Sequence, residues 1–150
     1  MSKLSLKAAI IGGIVDISST YLLVVIAIFV FILVTGLVSA GHPPPTGLSD
    51  MVLRSVQSGP IHVLLICLGC LCSVLGGYVA ARIAKHDELV NGAASAWLCV
   101  LIGLFSFATV QDGGQIVRHI ASEVAAPLLG LFGGYVRLFQ KGPQPSIAAQ

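Results

Sequence analysis

Four stretches of the chain are apolar for longer than a buried helix of a water-soluble protein needs. They run from about Lys7 to Ser39, from Ile61 to about Ala84, from about Leu89 to Val110 and from about Ile116 to Phe139. Crossing the hydrocarbon core of a bilayer, about 30 Å thick, takes roughly 20 mainly apolar residues at about 1.5 Å each. Between Leu22 and Val34 the first stretch contains no polar residue. The period-two alternation of a β-barrel strand is absent. Lipid offers no partner to stray backbone groups, so each stretch is expected to be a continuous helix. The pattern predicts an all-α membrane protein with four transmembrane helices, built as two helical hairpins. A single domain is expected over residues 1–141, with a loose tail over 142–150. Lys3, Lys7 and the string Val38-Ser39-Ala40 have the outline of a signal peptide. The apolar run between them far exceeds the roughly 7–15 residues of a signal core, so an uncleaved first helix is expected.

Composition agrees. Hydrophobic residues make up 56% of the 150 and charged residues 9%, against about 25% charged in a typical soluble domain. A soluble enzyme and a disordered tail are excluded on that ground. A net charge of +2 is too small and too scattered to neutralise a run of phosphates, so no nucleic-acid partner is expected. The lipid bilayer is the expected surrounding.

The cations set an orientation. Lys3, Lys7, Arg82, Lys85, Arg137 and Lys141 fall on one side of the predicted spans, and Arg54 and Arg118 on the other. Positive charge collects in the cytoplasm, which puts both termini there. The outside loop from Gly41 to Pro60 opens with His42-Pro43-Pro44-Pro45, a stiff polyproline-like stretch. Beyond it, Ser49 is placed to cap a short helix bearing Leu48, Val52, Leu53 and Val56 on one side. Such a helix would rest on the membrane surface; a plain connecting loop is the alternative. Lys85-His86-Asp87-Glu88 is so short that the second and third helices must be antiparallel neighbours.

The second helix ends Gly76-Gly77-Tyr78-Val79 and the fourth Gly133-Gly134-Tyr135-Val136, which suggests an internal repeat. Small residues accompany both strings at steps of four: Gly69, Ser73, Gly77 and Ala81 in the second helix, and Ser122, Ala126, Gly130 and Gly134 in the fourth. That spacing keeps them on one helix face. In lipid such a face lets backbones approach closely, so both stripes are expected at helix–helix contacts. Gly12-Gly13 and Gly92-Ala93-Ala94-Ser95-Ala96 put small residues at the same depth in the other two helices. A tight waist toward the cytoplasm follows.

The stretch Gly76-Gly77-Tyr78-Val79-Ala80-Ala81-Arg82, with Glu88-Leu89-Val90-Asn91-Gly92-Ala93 after it, resembles a pattern in uncharacterised small four-helix bacterial inner-membrane proteins. The resemblance covers about a fifth of the chain. It implies a multi-pass protein of a bacterial cytoplasmic membrane and brings no catalytic residues. The long Pro-rich outside loop departs from it.

Asp16 is the most informative single residue. It lies on a small and polar face with Ala8, Gly12 and Thr20 at steps of four, and Ser19 beside it. A carboxylate at the bilayer centre costs about 2.5–3.5 kcal/mol on insertion scales, so it is expected to turn inward and pair. Arg82 is the nearest cation in predicted depth, giving a candidate buried pair of Asp16 and Arg82. The alternatives are a protonatable site, or an interfacial carboxylate in water. An acidic residue in the first of four helices also resembles the layout of small multidrug exporters. Those carry Glu in a setting that Val15 and Ile17-Ser18 do not reproduce.

At the outer end of the fourth helix Arg118, His119 and Glu123 form a charge cluster, with Asp112 nearby. Headgroup contact is the simple reading, and a gate near Pro127, which would free the Glu123 carbonyl, the functional one. Cys67, Cys70 and Cys72 lie inside a helix and point to different sides, so they and Cys99 are expected as small hydrophobes rather than metal ligands. His42, His62, His86 and His119 are too widely spaced for a haem or metal pair. No HExxH, GxSxG or P-loop string occurs. No catalytic residue, cofactor or metal is therefore expected, and an enzyme is the least supported class. The leading expectation is a structural or accessory bundle that packs with itself or with a membrane complex. The rival is a small oligomeric proton-coupled transporter or channel using Asp16.

Overall fold

The computed structural model describes residues 4–38, 47–57, 60–107 and 113–141. Its helices are α1 Leu6–Val38, α2 Leu48–Gln57, α3 Pro60–Ala84, α4 Glu88–Ser95, α5 Trp97–Phe107 and α6 Gly113–Lys141. The described residues contain no strand. Three helical stretches are long and apolar enough to cross a membrane: Leu6–Leu37, Ile61–Ala84 and Glu88–Phe105, the last running through α4 and α5. With 29 residues α6 has the length, but Glu123, Pro127 and Arg137 make it less apolar than those three.

Burial runs opposite to that of a water-soluble protein. Leu22, Phe29 and Phe105 are exposed, the last at 88%. Ala8, Ala9, Ala80, Ala81, Ala84 and Ala96 are buried, and the largest fully buried side chains are Asn91 and Ser95. Lipid tails are as apolar as leucine, so large side chains gain little by turning inward. Close backbone packing and internal hydrogen bonds hold such helices together instead.

The chain divides into two compact units. The first comprises Met1–Ile17 and Cys72–Gln150, the second Ser18–Leu71. Within the second lies α2, which begins two residues earlier than a Ser49 cap would place it. The carbonyl of Gly47 accepts from the N–H groups of Asp50 and Met51, so Ser49 falls inside the helix rather than at its cap. Asp50 in its first turn and Arg54 in its last suit the helix dipole. Val52 and Val56 are half-buried, whereas Leu53 is exposed at 57%. His62 Nδ1 lies 2.9 Å from the Val56 carbonyl oxygen. His42 and Pro43 to Pro45 lie outside the described residues.

The first unit is built on three Gly-Gly pairs, each wedging one helix between two neighbours. Adjacent residues of a helix point about 100° apart, so two successive glycines open two faces. A Cβ on Gly76 would come within 2.7 Å of Asp16 Cβ in α1, whereas one on Gly77 would strike the Gly130 carbonyl in α6. On α6, Gly133 faces the Val74 carbonyl of α3, and a Cβ on Gly134 would lie 2.5 Å from the Glu88 carbonyl oxygen. On α1, Gly12 faces Ala80 and Ser95, and Gly13 faces Ser95 and Leu98. The two Gly-Gly-Tyr-Val strings thus meet each other. Gly92 completes the set, with a would-be Cβ 2.6 Å from the Gly130 oxygen.

The third apolar stretch is not the continuous helix expected. It is interrupted at Ala96, between α4 and α5. The Ser95 hydroxyl donates to the Gly92 carbonyl at 2.7 Å, and the Ala96 N–H reaches the Ala93 carbonyl, three residues back, at 3.2 Å. A short polar side chain competing for backbone groups in this way loosens the regular ladder.

One end of the first unit is tied by polar contacts. The turn between α3 and α4 holds Lys85 and Asp87 at φ 59° and 45°. Asn91, fully buried, donates through Nδ2 to the carbonyls of His86 at 3.0 Å and Asp87 at 3.1 Å. Its Oδ1 accepts from the Ser5 N–H at 2.8 Å. The start of α1 is thereby fastened to the turn. Lys141, the last residue of α6, bonds Glu88 Oε1 at 2.9 Å and the Lys85 carbonyl at 3.5 Å. Tyr78 donates to Gln140 Oε1 at 2.9 Å.

Candidate functional site at Asp16

Three helices of the first unit converge on Asp16. It lies ten residues past Leu6, about 15 Å along α1, and its exposure is 2%. Gly76 on α3 gives it room, since any side chain there would meet the Asp16 Cβ. Ser73, three residues before Gly76 on the same helix, donates to Asp16 Oδ1 at 3.3 Å. From α5, beyond the interruption at Ala96, the Cys99 thiol donates to Oδ2 at 3.2 Å. A hydroxyl and a thiol therefore reach the two carboxylate oxygens from opposite helices.

From the sequence Asp16 is expected to pair with Arg82; the contacts at its two oxygens come from Ser73 and Cys99. Arg82 is exposed and lies six residues beyond Gly76 on α3, about 9 Å further along the axis. Arg82 sits near the turn end of α3, while Asp16 packs beside Gly76. Asp16 is almost fully enclosed by protein.

A second carboxylate meets α5 one turn later. Glu123 of α6 lays its carboxylate against Gly103, in space that a Cβ at that position would occupy. Glu123 was expected at an outer charge cluster with Arg118 and His119. The side chains of those two, and Asp112 altogether, lie outside the described residues. Glu123 is half-buried, and the missing side chain of Gly103 leaves room for its carboxylate.

Among the packing positions, Gly77, Ala81, Gly130 and Gly134 are buried, the glycines among them against backbone of neighbouring helices. Ser73 is spent on Asp16. Ala126 is half-buried, and Gly69 has nothing within 4 Å. Cys67 is exposed, Cys70 half-buried and Cys72 buried, all as free thiols. Among the described residues no group of three His, Cys, Asp or Glu side chains is placed to hold a metal ion.

Ser73 and Cys99 were legible only as a packing residue and a small hydrophobe; nothing in their spacing tied them to Asp16. Asn91 appeared in the sequence only as part of a longer string, yet it makes the most side-chain hydrogen bonds of the turn. The signal was available in principle: an Asn at the start of an apolar stretch must find partners for both ends of its amide. The chain matches no protein-family model, no curated protein and no solved structure.

Proposed function

We propose that the protein is a multi-pass protein of a bacterial cytoplasmic membrane, acting as a small oligomeric proton-coupled transporter or channel with Asp16 as its proton-binding group. On this reading four segments cross the bilayer, α1, α3, α4 with α5, and α6, and both termini are cytoplasmic. One observation carries it: a carboxylate with 2% exposure, set among helices long and apolar enough to cross a membrane. Such a residue is costly to keep in lipid, and its usual roles are in ion and proton paths. Four helices are few to enclose a path, so subunits would share one.

The test is proton uptake by liposomes containing the full chain and an internal pH-sensitive dye, under a potassium diffusion potential. Wild-type uptake above empty vesicles is expected, with Asp16→Asn reduced to the vesicle background and its melting temperature in detergent unchanged. Uptake retained in Asp16→Asn would remove Asp16 from the mechanism.

A second reading, a structural or accessory bundle that packs with itself or with a membrane complex, is favoured by Gly36 and Gly69. Both are small residues in apolar helices with open space beside them, the kind of surface that a further helix uses for close approach. Gly69→Leu is then expected to change the oligomer size in detergent while leaving the melting temperature in place. An unchanged size would speak against it.

A further inference from the structure

Two carboxylates from different helices meet one face of a third, inside a stretch able to cross a membrane. Asp16 of α1 accepts from Cys99 of α5 at 3.2 Å. Four residues later on α5, about 6 Å along the axis, the Glu123 carboxylate of α6 rests on Gly103. Positions four apart share a helix face, so Cys99 and Gly103 form one strip with a carboxylate at each end. Gly103 is shaped for this: any larger residue would push the Glu123 carboxylate away. The two carboxylates thus meet one face of α5 about one helical turn apart.

We infer that Glu123 is the second proton-binding group of the protein, and that Asp16 and Glu123 hold protons as a coupled pair along the Cys99–Gly103 face of α5. The inference rests on the reading of Asp16 as a proton-binding group and deepens it. The groups that touch Asp16 include Ser73 of α3 and Cys99 of α5. Glu123 has Gly103 of α5 against its carboxylate. Of the cations, Arg82 lies exposed toward the end of α3, and Lys7 is exposed two turns before Asp16 on α1.

Infrared difference spectroscopy of the full chain in lipid, titrated with pH, follows protonated carboxyls through their C=O stretch. In wild type two such bands are expected. Glu123→Gln, which keeps the shape, removes one band and moves the titration midpoint of the other by about one pH unit or more. Asp16→Asn does the reciprocal. Glu123→Asp retains a coupled pair, and Gly103→Ala, which displaces the Glu123 carboxylate, weakens the coupling while keeping both bands. A Glu123→Gln variant in which the Asp16 midpoint does not move overturns the pairing, as does Gly103→Ala without effect. The liposome assay separates the two readings. Loss of uptake in Asp16→Asn alone leaves Asp16 standing and removes Glu123; uptake retained in both variants removes both.

Discussion

Gly77 of α3 meets Gly130 of α6 backbone to backbone, so that a methyl group on Gly77 would collide with the Gly130 carbonyl. Neither partner of that collision is a flexible side-chain end that could swing aside. Overpacking typically costs about 1–3 kcal/mol, and a backbone obstacle puts Gly77→Ala at the upper end. Gly77→Leu and Gly134→Leu are expected to prevent the first unit from assembling. Gly69→Ala is the control: with nothing within 4 Å, it should gain about 1 kcal/mol of helix propensity. Thermal unfolding in detergent distinguishes the two directions.

Replacing Asn91 by alanine leaves the Ser5 N–H and the carbonyls of His86 and Asp87 without their side-chain partner. At about 1 kcal/mol for each hydrogen bond, a loss of about 2–4 kcal/mol is expected. Hydrogen exchange should show it first as lost protection at the start of α1 and in the Lys85–Glu88 turn. A loss confined to one of the two sites would mean that Asn91 does not couple them.

Lys141→Ala removes an ion pair whose lysine is one-third exposed and whose Glu88 is 9% exposed. Exposed pairs contribute about 0–1 kcal/mol and are screened by salt. The expected effect is below about 1 kcal/mol and smaller still at high salt. It should appear as fraying of the last turn of α6 in hydrogen exchange, with the rest of the helix unchanged. A salt-independent loss would point to the bond with the Lys85 carbonyl as the larger contribution.

Lys85 adopts φ 59°, a left-handed conformation that costs a side-chain-bearing residue about 1–2 kcal/mol. Lys85→Gly is expected to be neutral or to raise stability by up to about 1 kcal/mol. Lys85→Val should lower it by more than 1 kcal/mol, roughly. Melting temperatures of the two variants in the same detergent decide the matter; equal values would mean that the turn relaxes.

The apolar stretches were legible because lipid imposes length and composition directly: three of them meet the demands of a membrane-crossing helix. The small-residue stripes were legible because steps of four define a face. Neither kind of signal identifies the partner across that face. Gly76 and Gly77 are neighbours in sequence, yet one serves α1 and the other α6. Nor did charge alone identify the partner of Asp16. Counting cations by depth pointed to Arg82, whereas the geometry chose a hydroxyl and a thiol, whose donors have no long-range field to reveal them. The interruption at Ala96 was hidden for a related reason, since alanine is the best of helix formers. The competing hydrogen bond comes from Ser95, and its weight depends on α1 and α6 lying against the same turn.

That interruption bears on how the chain is made. The stretch Glu88–Phe105 is the shortest of the three able to cross, at 18 residues, and its first half carries Asn91 and Ser95, both enclosed by protein. On leaving the ribosome it meets α1 and α3 already synthesised. Ser5 for Asn91, and Gly12 and Gly13 for Ser95, are therefore at hand. What Gly92 needs is still missing: Gly130 and Gly134 are translated roughly forty residues later. During that interval the bare backbone of α4 is open to whatever helix drifts past. A nascent chain truncated before Gly130 should therefore crosslink through α4 to neighbouring membrane proteins, and the full-length chain should not.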